Sequence, residues 1–238
     1  MKYIRIIGCA IAVMLLSGCV SQKAMDIPSD FWQTGGDKNI AVAFVQPPEM
    51  DAHRKGGEGL LDMAINEMVT DSVESHIQSL KHDKFELGKS KVATLIKSRG
   101  SRSVILPEYY EATDEHKLPK EERKKGYFDY DVSAVKEQYQ ATHLLVIQTM
   151  AAGTLRDYYG FIPLTSPRGY VNAEVTLVDL SNNKIVMEHQ ILEEVMLPED
   201  VDWDDPDNQY PEITKVINLA LERAANRLTE FLTRPDIG

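Results

Sequence analysis

The apolar positions of this chain fall into two kinds of run. Asn39 to Gln46 (NIAVAFVQ) is continuously apolar, short, and stopped by Pro47-Pro48. That is the pattern of a strand buried on both faces. His143 to Met150 (HLLVIQTM) predicts a second such strand. Tyr170 to Leu180 instead alternates, with Val171, Ala173, Val175 and Leu177 on one face, and Lys184 to Val195 follows after Ser181-Asn182-Asn183. Two alternating runs about a short Asn-rich turn predict a β-hairpin. Helical spacing marks three further stretches. Leu60 to Leu80 carries Leu61, Ile65, Met68, Val69, Val73, Ile77 and Leu80 on one stripe. Asp131 to Gln140 carries Val132, Val135 and Tyr139, with Asp131 placed to cap it. Pro211 to Leu232 carries Ile213, Val216, Ile217, Ala220, Leu221, Ala224, Leu228 and Phe231. Shorter signals predict a strand at Lys84 to Leu87, a helix at Ser90 to Ser98 ended by Gly100, and a strand at Ser103 to Leu106. Glu111 to Lys125 reads as a solvated loop or an exposed short helix, and the acidic run Pro198 to Gln209 as a solvated loop. This order predicts one α/β domain over residues 39–238, with a mixed central sheet, a C-terminal β-hairpin and flanking helices.

The pattern changes before residue 39. Lys2 and Arg5 precede an apolar run from Ile6 to Leu16, as in a secretory signal peptide. The run falls short of the roughly 20 residues needed to cross a bilayer. Leu16-Ser17-Gly18-Cys19 resembles the bacterial lipobox. The resemblance implies a diacylglyceryl group on the Cys19 thiol, cleavage before that residue, and loss of residues 1–18. Two or three acyl chains hold a protein stably where one holds marginally, each buried methylene adding about 0.8 kcal/mol. Val20 stands where an inner-membrane lipoprotein would carry a retention aspartate. That favours the outer membrane, facing the periplasm; with a single membrane it would mean the outer cell face. Residues 19–38 then form a lipidated, flexible tether, rich in Ser, Gln, Asp, Pro and Gly. Phe31 and Trp32 interrupt it and are expected to dock on the domain, on another copy or at the lipid surface.

Composition narrows the function. With Lys2 and Arg5 lost with the leader, 24 basic residues face 37 acidic ones, a net charge of −13. Such a surface repels nucleic acid. The two cysteines are Cys9, in the leader, and Cys19. A domain without further thiols excludes cysteine nucleophiles, thiolate metal sites and disulfides.

Known catalytic spacings are missing. Gly88-Lys89-Ser90 has the ending of a phosphate-binding loop, but Asp83 occupies the position of its first glycine. None of His53, His76, His82, His116, His143 and His189 forms a HExxH pair, and His143, opening a strand, is expected to be structural. Asp200, Asp202 and Asp204 copy the alternate spacing of a calcium loop, with Asp205 where the turn needs glycine and Pro211 where it needs glutamate. That leaves a weak cation candidate within a solvated loop, and no cofactor beyond the covalent lipid is expected. Gly153 to Gly169 (GTLRDYYGFIPLTSPRG) is the most unusual stretch. Glycine and proline predict a protruding loop or hairpin tip. Its aromatics Tyr158, Tyr159 and Phe161 either meet a protein partner or fold back on the sheet. Arg156 and Arg168 flank it and can pair with acidic groups.

The opening strand NIAVAFVQ, the run DVSAVKEQYQATHLLVIQ, the hairpin YVNAEVTLVDLSNNKIVMEHQ and the final helix together look like a superfamily of envelope proteins. It includes the curli-secretion lipoprotein CsgG, the penicillin-binding-protein activator LpoB and the amino-terminal domain of TolB. The resemblance spans residues 39 to 232 as an order of elements and implies protein-binding or assembly roles without catalysis. The expected function is therefore a non-catalytic adaptor or assembly subunit with an envelope partner, able to self-associate. A CsgG-like export-channel subunit and a hydrolase with a dispersed site are the alternatives.

Overall fold

A computed structural model describes residues 24–33, 38–56, 72–198, 200–204, 207 and 209–233. Its centre is β4 (His143–Tyr159), a single strand of 17 residues. On one side β4 takes two partners end to end. β1 (Asn39–Phe44) pairs parallel to His143–Ile147, and β2 (Asp51–Lys55) pairs parallel to Gly153–Asp157. β3 (Arg102–Ile105) extends the sheet beyond β1. On the other side β6 (Arg168–Asp179) runs antiparallel along almost the whole of β4, and β7 (Lys184–Met196) forms the outer strand. The order is β3-β1-β4-β6-β7. This is the expected α/β domain with a mixed sheet and a C-terminal hairpin. Asn183 adopts a left-handed conformation in the hairpin turn, and its Nδ2 donates to the Phe128 carbonyl at 2.7 Å.

The sheet buries different amounts of its two faces. One face is covered by α2 (Gly88–Ser98), by α4 (Pro211–Phe231), and by α1, a helix described over residues 72–79. Ile40, Val42, Leu145, Ile147, Val171, Ala173, Val175 and Leu177 meet Ile213, Ile217, Leu221 and Leu228 there. Every side chain of β1 is buried, as its unbroken apolar run requires. The opposite face holds a smaller cluster: Ala41, Ala43, Leu144, Val146 and Val178 under Leu106, Val132 and Val135. Its cover is α3 (Ser133–Tyr139) and the segment leading to it. Asp131 accepts the Ser133 N–H at 2.9 Å, and this hydrogen bond holds the Asp131 carboxyl below the usual carboxylate range.

Three expectations change. Lys84 to Leu87 is not a strand: Asp83–Glu86 forms one helical turn, with Phe85 buried edge-to-face against Phe44. The buried strand at His143 does not stop at Met150. A register shift between Thr149 and Ala151 turns Met150 outward, and pairing then resumes. The tether does not extend to Lys38. Ile27 and Phe31 belong to the core, and Met25 exchanges backbone hydrogen bonds of 2.8 and 2.9 Å with Glu188 of β7. Of the helix expected over Leu60 to Leu80, residues 57–71 lie outside the described residues.

Candidate interaction surfaces

β4 outruns its neighbour. Leu155 is the last residue paired with β6, opposite Arg168. Beyond it the chain turns at Gly160, in the left-handed region, and Tyr158 and Tyr159 pair with β5 (Ile162–Pro163). A hairpin tip therefore projects from one end of the sheet. Tyr159 is 75% exposed, Phe161 54%, Ile162 50% and Leu164 62%. Tyr158 points the other way and is buried.

The base of this tip is tied by charge. The Arg168 side chain is only 5% exposed. Its Nη1 donates to Asp157 Oδ2 and its Nε to Glu194 Oε2, both at 2.6 Å. Burial disfavours the guanidinium charge, but these two carboxylates outweigh it and raise the Arg168 pKa. In return, the hydrogen bond from Arg168 holds the Asp157 carboxyl below its usual range. Arg156 Nε donates to the Thr165 carbonyl at 2.6 Å, and Leu164 N–H to the Asp157 carbonyl at 2.9 Å. The tip is thus a fixed projection.

Beneath it lies a cavity of about 280 Å³, lined by Arg54, Arg156, Tyr158, Trp203, Asp204 and Tyr210 among others. The Arg156 guanidinium sits 5.1 Å from the Trp203 ring centre and 5.7 Å from that of Tyr158. Tyr210 donates to Ser72 Oγ at 2.8 Å, closing one wall.

A third surface is the half of the second sheet face that α3 does not reach. Here Met150 is 53% and Leu192 56% exposed. Leu192 shares a shallow groove with His53, Ala151, Leu155 and Tyr170. Gln190 Nε2 donates to Asn172 Oδ1 across the face at 2.9 Å. The sequence reading missed this surface. Its signals were a methionine at an irregular point in a strand and a leucine on the polar phase of Lys184 to Val195.

The residues singled out from sequence separate in space. Tyr159 and Phe161 stand exposed together on the tip. Tyr158 and Phe31 do not form a contact surface, because both are core; Trp32 packs on the core and donates from Nε1 to the Leu232 carbonyl at 3.1 Å. Phe31 lies edge-to-face on the His143 ring at 5.2 Å, and burial lowers the His143 pKa. Gly88 opens α2 against Leu228 of α4, while Lys89 sits over the rings of Phe44 and Tyr109. That is packing rather than a phosphate cradle. Asp204 faces the cavity, and Asp200 has a left-handed backbone. Among the described residues no three His, Cys, Asp or Glu side chains gather as a metal site requires. Cys19 lies outside the described residues. Among the described residues, no helix is long and apolar enough to cross a membrane.

The fold and its surfaces define a mixed-sheet α/β domain with a projecting hairpin. No family model and no curated protein matches the chain. Solved structures of similar outline include the PelC dodecamer from Paraburkholderia phytofirmans, 10% identical over 87% of this chain and 95% of that one, with a TM-score of 0.35. A DUF330-family protein from Xanthomonas campestris is 10% identical over 88% and 91%, with a TM-score of 0.40. Lipoprotein GNA1162 from Neisseria meningitidis is 12% identical over 76% and 96%, with a TM-score of 0.29. Likenesses this distant carry no inference about this chain.

Proposed function

We propose that this chain is a lipid-anchored envelope protein, held by Cys19 at the periplasmic face of the outer membrane, and that it works as a non-catalytic adaptor or assembly subunit. The uncovered sheet face is the observation that carries the reading. Leu192 and Tyr170 line a groove there with Ala151 and Leu155; Asn172 separates Leu192 from the exposed Met150, and Gln190, Arg54, Lys55 and Glu194 supply the polar surroundings. Apolar side chains inside a polar border are the usual composition of a protein contact. The groove lies on β4, β6 and β7, so a partner would meet a preorganised surface and lose little conformational freedom in binding.

The test is photocrosslinking in cells, with the crosslinker at Leu192 or Met150 of the full chain, followed by mass spectrometry. A discrete envelope protein joined at Leu192, and lost on Met150→Asp, supports the adaptor. Crosslinks between copies alone favour a self-assembling subunit. Turnover of any substrate by the purified protein, abolished by a single substitution, would overturn the non-catalytic reading.

A further inference from the structure

The cavity beneath the tip holds two cations that the fold does not need. Arg54 and Arg156 are register partners on the parallel strands β2 and β4. Two positions earlier Ala52 pairs with Thr154. Side chains two apart on a strand share a face, and all four residues line the cavity. Like charges side by side on neighbouring strands repel. Both guanidinium groups stand at the Tyr158 ring, 5.4 and 5.7 Å from its centre. The nearby Arg168 is neutralised by two carboxylates. Arg156 is held differently: its Nε donates to the neutral Thr165 carbonyl, and among the described residues it forms no ion pair. That leaves its two Nη groups, the fork that takes a carboxylate through paired hydrogen bonds.

The rest of the wall is apolar and aromatic. The Trp203 ring centre lies 5.1 Å from the Arg156 guanidinium. Tyr210, just before α4, has a left-handed backbone with φ of 50°, a conformation costly for a bulky residue. It keeps the Tyr210 ring in the wall, where the hydroxyl donates to Ser72. Charge and volume then select the ligand. Among the described lining residues Asp204 opposes the two arginines, which favours one negative charge over two. The volume of about 280 Å³ matches the small end of ligand pockets, about 300 Å³.

We propose that this cavity binds a small molecule bearing one carboxylate on a flat, apolar body. Arg156 and Arg54 hold the carboxylate, and Trp203 and Tyr210 hold the body. The site goes beyond the adaptor reading and depends on neither that reading nor the lipid anchor.

The test is calorimetric titration of the full-length protein, purified in neutral detergent, with phenylacetate and with phenylacetamide. The two share a ring and differ in charge. The expected result is saturable one-to-one binding of phenylacetate, about tenfold or more weaker for phenylacetamide and for phenylacetate on Arg156→Gln. Phenylacetate should also change the tryptophan emission, and Trp203→Phe should abolish that change. Inorganic phosphate should compete only weakly. No saturable binding of phenylacetate by the folded protein overturns the proposal. Equal affinity for acid and amide overturns it too, because the arginines then take no part. Phosphate competing as well as phenylacetate removes the apolar half of the site. Should Arg156→Gln fail to fold, the acid–amide comparison and Trp203→Phe still decide.

Discussion

Single residues decide how the projecting end is held. Arg168 is buried between two carboxylates, so its replacement leaves Asp157 and Glu194 facing each other without a cation. Arg168→Met should cost about 1.5–3 kcal/mol in urea unfolding, the range for lost hydrogen bonds to charged groups. The pH dependence has a definite sign. The pKa of Asp157 is lowered in the fold, so its contribution is complete above the ordinary carboxylate pKa and disappears as pH falls through the lowered value. In Arg168→Met the acid-side loss of stability should therefore be shallower than in the parent. Gly169 is constrained from the other face: a Cβ there would lie 2.2 Å from the Val216 carbonyl oxygen of α4. Gly169→Ala must push the helix off the sheet, at a cost of about 1–3 kcal/mol. A variant as stable as the parent would show that α4 sits farther from β6 than the structure places it.

Among the elements, legibility followed burial. Every residue placed on the inner face of the hairpin from sequence (Val171, Ala173, Val175 and Leu177) is in the main core, and the stripe of the last helix is buried as expected up to Leu228, with Phe231 half-buried against the His189 ring. These elements are amphipathic, so their period is visible. β2 was not legible, because Asp51-Ala52-His53-Arg54-Lys55 has no apolar alternation; it is a strand only through pairing with the second half of β4. Lys84 to Leu87 misled for the opposite reason, since one buried phenylalanine among charges fits a strand or a helical turn equally well. The exposed tip was found by its glycine, prolines and aromatics, although which of its rings faced outward depended on where the β4 pairing ended. Residues 24–33 mix apolar residues with Asp26, Pro28, Ser29 and Asp30 and show no regular period, yet they hold Ile27 and Phe31 in the core. The docked segment makes a prediction at this scale. Ile27→Ala should destabilise by about 2–5 kcal/mol, and a fragment starting at Lys38 should melt well below one starting at Ala24. Equal melting of the two fragments would return this segment to the tether.

At the scale of the whole molecule, stability and surface function lie in different places, and two measurements separate them. Burial lowers the pKa values of His76, His82 and His143. For each, the unfolded chain binds its proton at a higher pH than the fold does, so stability is complete above about pH 6.5 and declines as pH falls toward the lowered values. The melting temperature should drop between neutral and mildly acidic pH, with a smaller drop in His143→Gln; an unchanged profile in that variant would mean His143 is solvated. The tip should behave otherwise. Tyr159 and Phe161 are exposed, so folding buries little of their surface, and substitutions at such positions usually stay within about 0.5 kcal/mol. Tyr159→Ser with Phe161→Ser should leave the melting curve and its pH dependence where they were. An exposed apolar surface of this size has no role in holding the fold, so a phenotype from this pair at unchanged stability would belong to a contact outside the chain. A large fall in melting temperature would instead mean that the rings pack within the native protein, and the projecting end would then be part of the core.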